Sequence, residues 1–186
     1  MDTQASHDPH EGGDQTPIPP SLRAFGEDLS LSLDACDPQD YLPQIKAALQ
    51  EQLKCCDVVG RIKPECCEKR HYGRELVYVD PEKRFTLLVL RWLPRAATPV
   101  HGHNAWGVVG VCSGELTICC YDAPEGKECL EKTKEIKGKP GDVSCVGPVP
   151  EGIHCISNTS EEEAYSIHVY GMDLSEKADA INVYYE

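Results

Sequence analysis

The stretch Thr98-Pro99-Val100-His101-Gly102-His103-Asn104-Ala105-Trp106-Gly107 decides how this chain is read. His101 and His103 are two residues apart. On an extended strand alternate side chains point the same way, so the two imidazoles face one side together. Such a pair is half of a metal pincer, and His154 is the candidate that would complete it. Neutral imidazole suits iron, zinc, copper and nickel, and a three-histidine set leaves coordination positions open for chemistry. The competing reading is a surface HxH and a hydrogen-bonded core histidine at 154.

Around that stretch the texture is that of a β protein. From Tyr72 onward, short runs rich in Val, Leu, Ile, Thr and Tyr are separated by Asp80-Pro81, Ser113-Gly114, Pro124-Glu125-Gly126 and Pro140-Gly141-Asp142. The runs predict strands over Glu75–Val79, Phe85–Trp92, Pro99–His103, Gly107–Val111, Glu115–Tyr121, Glu131–Ile136, Val143–Val146, Ile153–Ser157 and Ala164–Tyr170. Many short strands at regular spacing predict an all-β sandwich or barrel. Upstream, Tyr41, Ile45, Leu49 and Leu53 recur every four residues, which predicts an amphipathic helix with Asp40 as its cap. Ser21 to Leu33 suggests a second, shorter helix, and Arg61 to Arg70 is read as helix or loop.

The bulk numbers narrow the class. A chain of 186 residues is enough for one domain with a sizeable core. Residues 1–20 are polar and read as a disordered tail with no secretory signal; 21–186 reads as one domain, helical over 21–71 and a β-barrel over 72–171. The net charge of −13, from 31 acidic and 18 basic residues, argues against nucleic acid and anionic membrane surfaces as partners. No stretch is long and apolar enough to span a membrane. The 11 cysteines include the adjacent pairs Cys55-Cys56, Cys66-Cys67 and Cys119-Cys120. A zinc site from the first two pairs would lack CxxC spacing; reduced thiols, several buried, are the plainer reading. The expected protein is a cytoplasmic monomer.

Two further groups stand out. In Ser166-Ile167-His168-Val169-Tyr170, period two puts Ser166, His168 and Tyr170 on one face. Each can bond the next, and the line would hold the Tyr170 hydroxyl and pass a proton; an outward polar face of an edge strand is the alternative. In Tyr72-Gly73-Arg74-Glu75-Leu76-Val77, an Arg74 turned inward needs an anion, and a substrate carboxylate would serve.

HxH, an intermediate position four residues on, and Gly114 seven residues later together resemble the first motif of the cupins. Most cupins have a metal-binding Glu at that intermediate position; here it is Gly107. Three histidines without the carboxylate resemble the thiol dioxygenases, specifically the cysteine dioxygenase family. The likeness runs from about Tyr72 to Gly171 and includes YxRxLV at Tyr72–Val77, the run Phe85–Trp92, PxGxH ending at His154, Asn158 four residues on, and SxHxY at Ser166–Tyr170. It implies a cupin-type double-stranded β-helix (jelly-roll) barrel with N-terminal helices. It also implies Fe(2+) on His101, His103 and His154, Arg74 on the substrate carboxylate with Tyr72 beside it, and Ser166, His168 and Tyr170 as an outer relay. The implied partners are a small-molecule thiol and O2.

The departures matter. Many animal members cross-link Tyr to a Cys near position 107; Gly107 cannot, which resembles the bacterial type. Arg95 stands where the cupin motif has its first Gly, and the spacing before His154 is one residue short. Arg74 favours cysteine, since 3-mercaptopropionate dioxygenases carry Gln there, whereas GHNAWGVVGV is closer to the mercaptopropionate branch. The remaining alternatives are a relaxed thiol dioxygenase, a non-catalytic metal-binding cupin, and a cupin isomerase using zinc or manganese.

Overall fold

A computed structural model describes residues 19–55, 71–124 and 129–185. The Arg61–Arg70 segment, Cys56, Cys66, Cys67 and most of the expected tail lie outside these residues.

Among the described residues there are two α-helices and ten strands; the helices come first, α1 (Pro20–Asp34) and α2 (Tyr41–Lys54). Ten strands follow: β1 (Tyr72–Val79), β2 (Thr86–Trp92), β3 (His101–His103), β4 (Gly107–Ser113), β5 (Leu116–Asp122), β6 (Glu131–Gly138), β7 (Val143–Val146), β8 (Ile153–Ser157), β9 (Ala164–Tyr170) and β10 (Asn182–Tyr184). They form two five-stranded antiparallel sheets, ordered β1-β2-β9-β4-β7 and β10-β3-β8-β5-β6. Each expected strand is present; β7, β8 and β9 have the expected bounds, and the other six differ by one to three residues at an end. The exception in kind is β10, which the sequence reading did not place. Asp40 makes no side-chain cap bond, because the 3-10 turn Pro38–Asp40 runs straight into α2.

All seven residues of β9 are buried, which a strand achieves only when both faces are covered. Period two explains how. Tyr165, Ile167 and Val169 face outward under the helices, in one apolar cluster with Leu22, Phe25, Leu29, Leu33, Ile45 and Leu49. Burying each of those helix side chains is worth roughly 1.5–3 kcal/mol, which holds α1 and α2 to the sheet. The alternate positions of β9, from Ala164 to Tyr170, face the barrel interior with Leu88, Leu90 and Trp92 of β2. Thus the helices occupy the apolar side, and the polar residues of β9 are left to the interior.

Asp80 ties α1 to the β1–β2 turn. Its carboxylate accepts from Ser30 Oγ (2.6 Å) and from Arg84 Nε and Nη2 (both 2.8 Å), and the hydrogen bonds from Arg84 and Ser30 outweigh burial to hold its pKa down at about 2. Gly114 has φ +74°, and a Cβ there would lie 2.6 Å from that of Ala164, so the β4–β5 turn requires glycine. Arg95, where the cupin motif has its first Gly, has a left-handed backbone with φ +64°, the region that glycine enters at least cost. Among the described residues, no helix is long and apolar enough to cross a membrane.

Candidate metal centre and its polar surround

β3 carries His101 and His103, and β8 carries His154 directly opposite His101 in the antiparallel register. The strand between the two β3 histidines has no slack, since a Cβ on Gly102 would meet Val149 at 2.3 Å. Ring centroids lie 5.1 Å apart for 101 and 103, 4.5 Å for 101 and 154, and 5.0 Å for 103 and 154. One ring nitrogen from each lies within 4.8 Å of the other two, the only such grouping of His, Cys, Asp or Glu among the described residues.

The hydrogen bonds select which nitrogen is offered. His101 Nδ1 donates to the carbonyl of Pro99 at 3.0 Å, and His154 Nδ1 to that of Gly152 at 2.7 Å. In a neutral imidazole this leaves Nε2 as a bare lone pair. His103 is fully buried and neither of its ring nitrogens has a partner. Leaving a buried polar group unpaired costs about 1–3 kcal/mol, which a bound metal would offset. Burial, then the neighbouring imidazoles, pushes the pKa of His101 down to about 4 and that of His103 to about 2; burial also lowers His154. The rings are therefore neutral at pH 7, as ligands must be. The donor set fits a divalent metal held by three neutral nitrogens. The short spacing before His154 is accommodated by Gly152 at φ +71°, whose carbonyl is the one that orients the ring.

Across from this cluster runs a line of four side chains. Trp92 Nε1 donates to Ser166 Oγ (2.8 Å), Ser166 meets His168 Nε2 (2.8 Å), and His168 Nδ1 meets the Tyr170 hydroxyl (2.9 Å). All four are buried. Burial and then the Arg74 charge push the His168 pKa down to about 3, so the ring is neutral. Trp92 can only donate. One arrangement gives the buried Ser166 hydroxyl an acceptor: Ser166 donates to Nε2, and Nδ1–H donates to Tyr170. The phenol's own proton is then free for the cavity. Burial raises the Tyr170 pKa to about 12, so that proton stays on at pH 7. Its ring meets that of His103 edge-on, with centroids 5.0 Å apart. Gly107 leaves room for that ring, since a Cβ there would press on it at 3.0 Å.

Arg74 and Tyr72 share a face of β1. The guanidinium carbon lies 5.6 Å from the Tyr72 ring centroid, and Nη1 is paired with Asp179 in the turn Ala178–Ile181. The structure thus brings together His101, His103, His154, Ser166, His168, Tyr170, Tyr72 and Arg74. Sequence reasoning missed Trp92 as the head of the line and Asp179 as the partner of Arg74. Only the unmet need of an inward arginine for an anion pointed toward Asp179. Cys119 and Cys120 face opposite ways: Cys119 reaches Glu135 on the next strand at 3.8 Å, while Cys120 lines a cavity of about 670 Å³.

Residues 65–180 match the family model for cysteine dioxygenase type I. Among solved structures the chain is similar to an oxalate oxidase bound to glycolate, with 15% identity over 59% of this chain and 56% of that one, at a TM-score of 0.48. It thus spans just over half of that protein's length. It is also similar to a cupin superfamily protein from Desulfitobacterium hafniense, with 13% identity over 63% of this chain and 90% of that one, at a TM-score of 0.47. The mainly-β fold expected, two antiparallel sheets with two helices N-terminal to them, is the one found.

Proposed function

Because the chain belongs to the cysteine dioxygenase type I family, we propose that it is an iron(II)-dependent thiol dioxygenase acting chiefly on L-cysteine. The reaction adds both atoms of O2 to the sulfur, so that a thiol becomes a sulfinic acid with no other reductant. The observation that carries the metal half of this reading is the buried trio His101, His103 and His154, with both ring nitrogens of His103 unpartnered. When bound, ferrous iron supplies the oxygen chemistry and, with no carboxylate among its ligands, keeps a full double positive charge that favours a thiolate.

The chain's own residues supply placement. Arg74 receives the substrate carboxylate in a forked contact and Tyr72 stacks beneath the guanidinium. Tyr170, fixed by His168, aims a hydroxyl proton at the reacting sulfur. Ser166 and Trp92 hold the His168 ring in the tautomer that frees that proton. Glycine at 107, the position against the Tyr170 ring, offers no thiol for a cross-link, which fits the bacterial type.

The test is oxygen uptake by iron-loaded protein with cysteine, 3-mercaptopropionate and cysteamine, and identification of the sulfinate. Uptake should be largest with cysteine. Tyr170→Phe should keep its iron and turn over roughly 100-fold more slowly, the low end of the range for loss of a positioned proton donor. No uptake with any thiol would leave a non-catalytic metal-binding cupin. A preference for 3-mercaptopropionate would move the chain to the branch that GHNAWGVVGV resembles.

A further inference from the structure

The anion on Arg74 comes from the chain itself. Asp179 Oδ1 accepts from the Arg74 guanidinium, from Asn182 Nδ2 at 3.3 Å and from the Tyr184 hydroxyl at 3.4 Å. The turn that presents it is fastened to the loop after the HxH pair: Asn104 donates through its backbone N–H to Ile181 O (2.8 Å) and through Nδ2 to Ala180 O (3.0 Å). The strand that follows pairs with the metal-binding strand, Asn182 opposite His103 and Tyr184 opposite His101. The Tyr184 ring lies 6.3 Å from that of His101. This strap therefore sets a carboxylate at the rim of the site, on the guanidinium that faces it.

The two ends of the ion pair are unequally exposed. The Arg74 side chain is 19% exposed and that of Asp179 is 42% exposed, so the carboxylate can turn to water more easily than the guanidinium can. A thiol that brings its own carboxylate exchanges one carboxylate on Arg74 for another, or shares the guanidinium with it. Either way it gains less than it would from an unpaired guanidinium. A thiol without a carboxylate loses nothing.

We propose that Asp179 is a specificity-determining residue: it competes for Arg74 with the substrate carboxylate and so narrows the preference of the site for carboxylate-bearing thiols over amine-only thiols. This rests on the reading of Arg74 as the carboxylate receiver.

Anaerobic titration calorimetry of iron-loaded protein tests it without turnover. Asp179→Asn removes the charge and keeps the side-chain shape. It should tighten 3-mercaptopropionate roughly two- to five-fold, the range of a partly exposed ion pair, and leave cysteamine unchanged. In steady state it should lower the KM for cysteine and leave kcat alone, a split that general loosening of the strap would not produce. In an Arg74→Ala background the gain should disappear. An unchanged or weaker affinity for 3-mercaptopropionate, an equal gain for cysteamine, or a gain that survives without Arg74 overturns the proposal. If the wild-type protein binds none of the thiols, the dioxygenase reading falls instead. Acetate, followed by NMR titration, then decides the role of Asp179 by the same set of variants.

Discussion

Four histidines are buried among the described residues, and they divide three to one. On β3 and β8, His101 and His154 are each anchored through Nδ1 by the carbonyl two residues upstream, and His103 has no hydrogen bond at all. On β9, His168 is bonded through both nitrogens. Burial holds every one of the four below neutrality, so charge does not separate the two groups. What separates them is a spare lone pair. A buried imidazole with one calls for a metal; a buried imidazole with none can only orient its neighbours.

That division is broken most forcefully at the metal. His101→Ala, His103→Ala or His154→Ala should each weaken iron binding by more than about 100-fold, beyond the 10- to 100-fold typical of an outer partner, and abolish oxygen uptake. His168→Ala should retain iron. Iron per chain, measured by atomic absorption after desalting, decides the matter. An iron-loaded His154→Ala, or a His168→Ala as empty as the others, would end the distinction.

Much of this division is legible along the chain, because it rests on period two. HxH on a strand, and SxHxY with Ile167 and Val169 between, declare their shared faces without any tertiary information. What is not legible is set by register and distance. Trp92 reads as an ordinary core residue. It becomes the donor to Ser166 only because β2 and β9 pair with Leu90 opposite Ser166 and Trp92 opposite Ala164. Asp179 meets Arg74 across 105 residues, on a turn that carries no motif. Arg95 looks like a broken cupin motif, and only the coordinates show that its φ of +64° lies in the region that glycine enters most easily.

The second test uses protons. The folded His168 pKa is about 3, below the ordinary value near 6.5 of the unfolded chain. Above pH 6.5 neither state takes the proton. As pH falls through 6.5 the unfolded chain binds it and the folded chain does not, so folding weakens by up to about 1.4 kcal/mol per pH unit until about pH 3. Iron-free wild type should therefore lose about 1.5–2 kcal/mol between pH 6.5 and 5 on account of this ring alone. His101, His103 and His154 add losses of the same sign. His168→Gln should show a shallower slope in urea unfolding by close to one proton. Equal slopes would mean that His168 titrates normally and is not the neutral relay described.

The smallest effect is expected at Trp92, and it sharpens the comparison most finely. Trp92→Phe removes the indole N–H and leaves Ser166, His168 and Tyr170 in place. Iron should be unaffected, since Trp92 touches none of the three metal-binding rings by hydrogen bond. The change lies in proton direction. With the indole donor gone, Ser166 Oγ can accept from His168 Nε2–H as readily as donate to it. In that second state Nδ1 is the acceptor, and the Tyr170 proton is drawn back to His168 and away from the cavity. If the two directions become comparable in energy, kcat should fall by roughly two- to five-fold, the factor that corresponds to less than 1 kcal/mol. A fall as deep as that of Tyr170→Phe would mean that Trp92 holds the whole line in position. No change in kcat would mean that the tautomer of His168 is fixed without it.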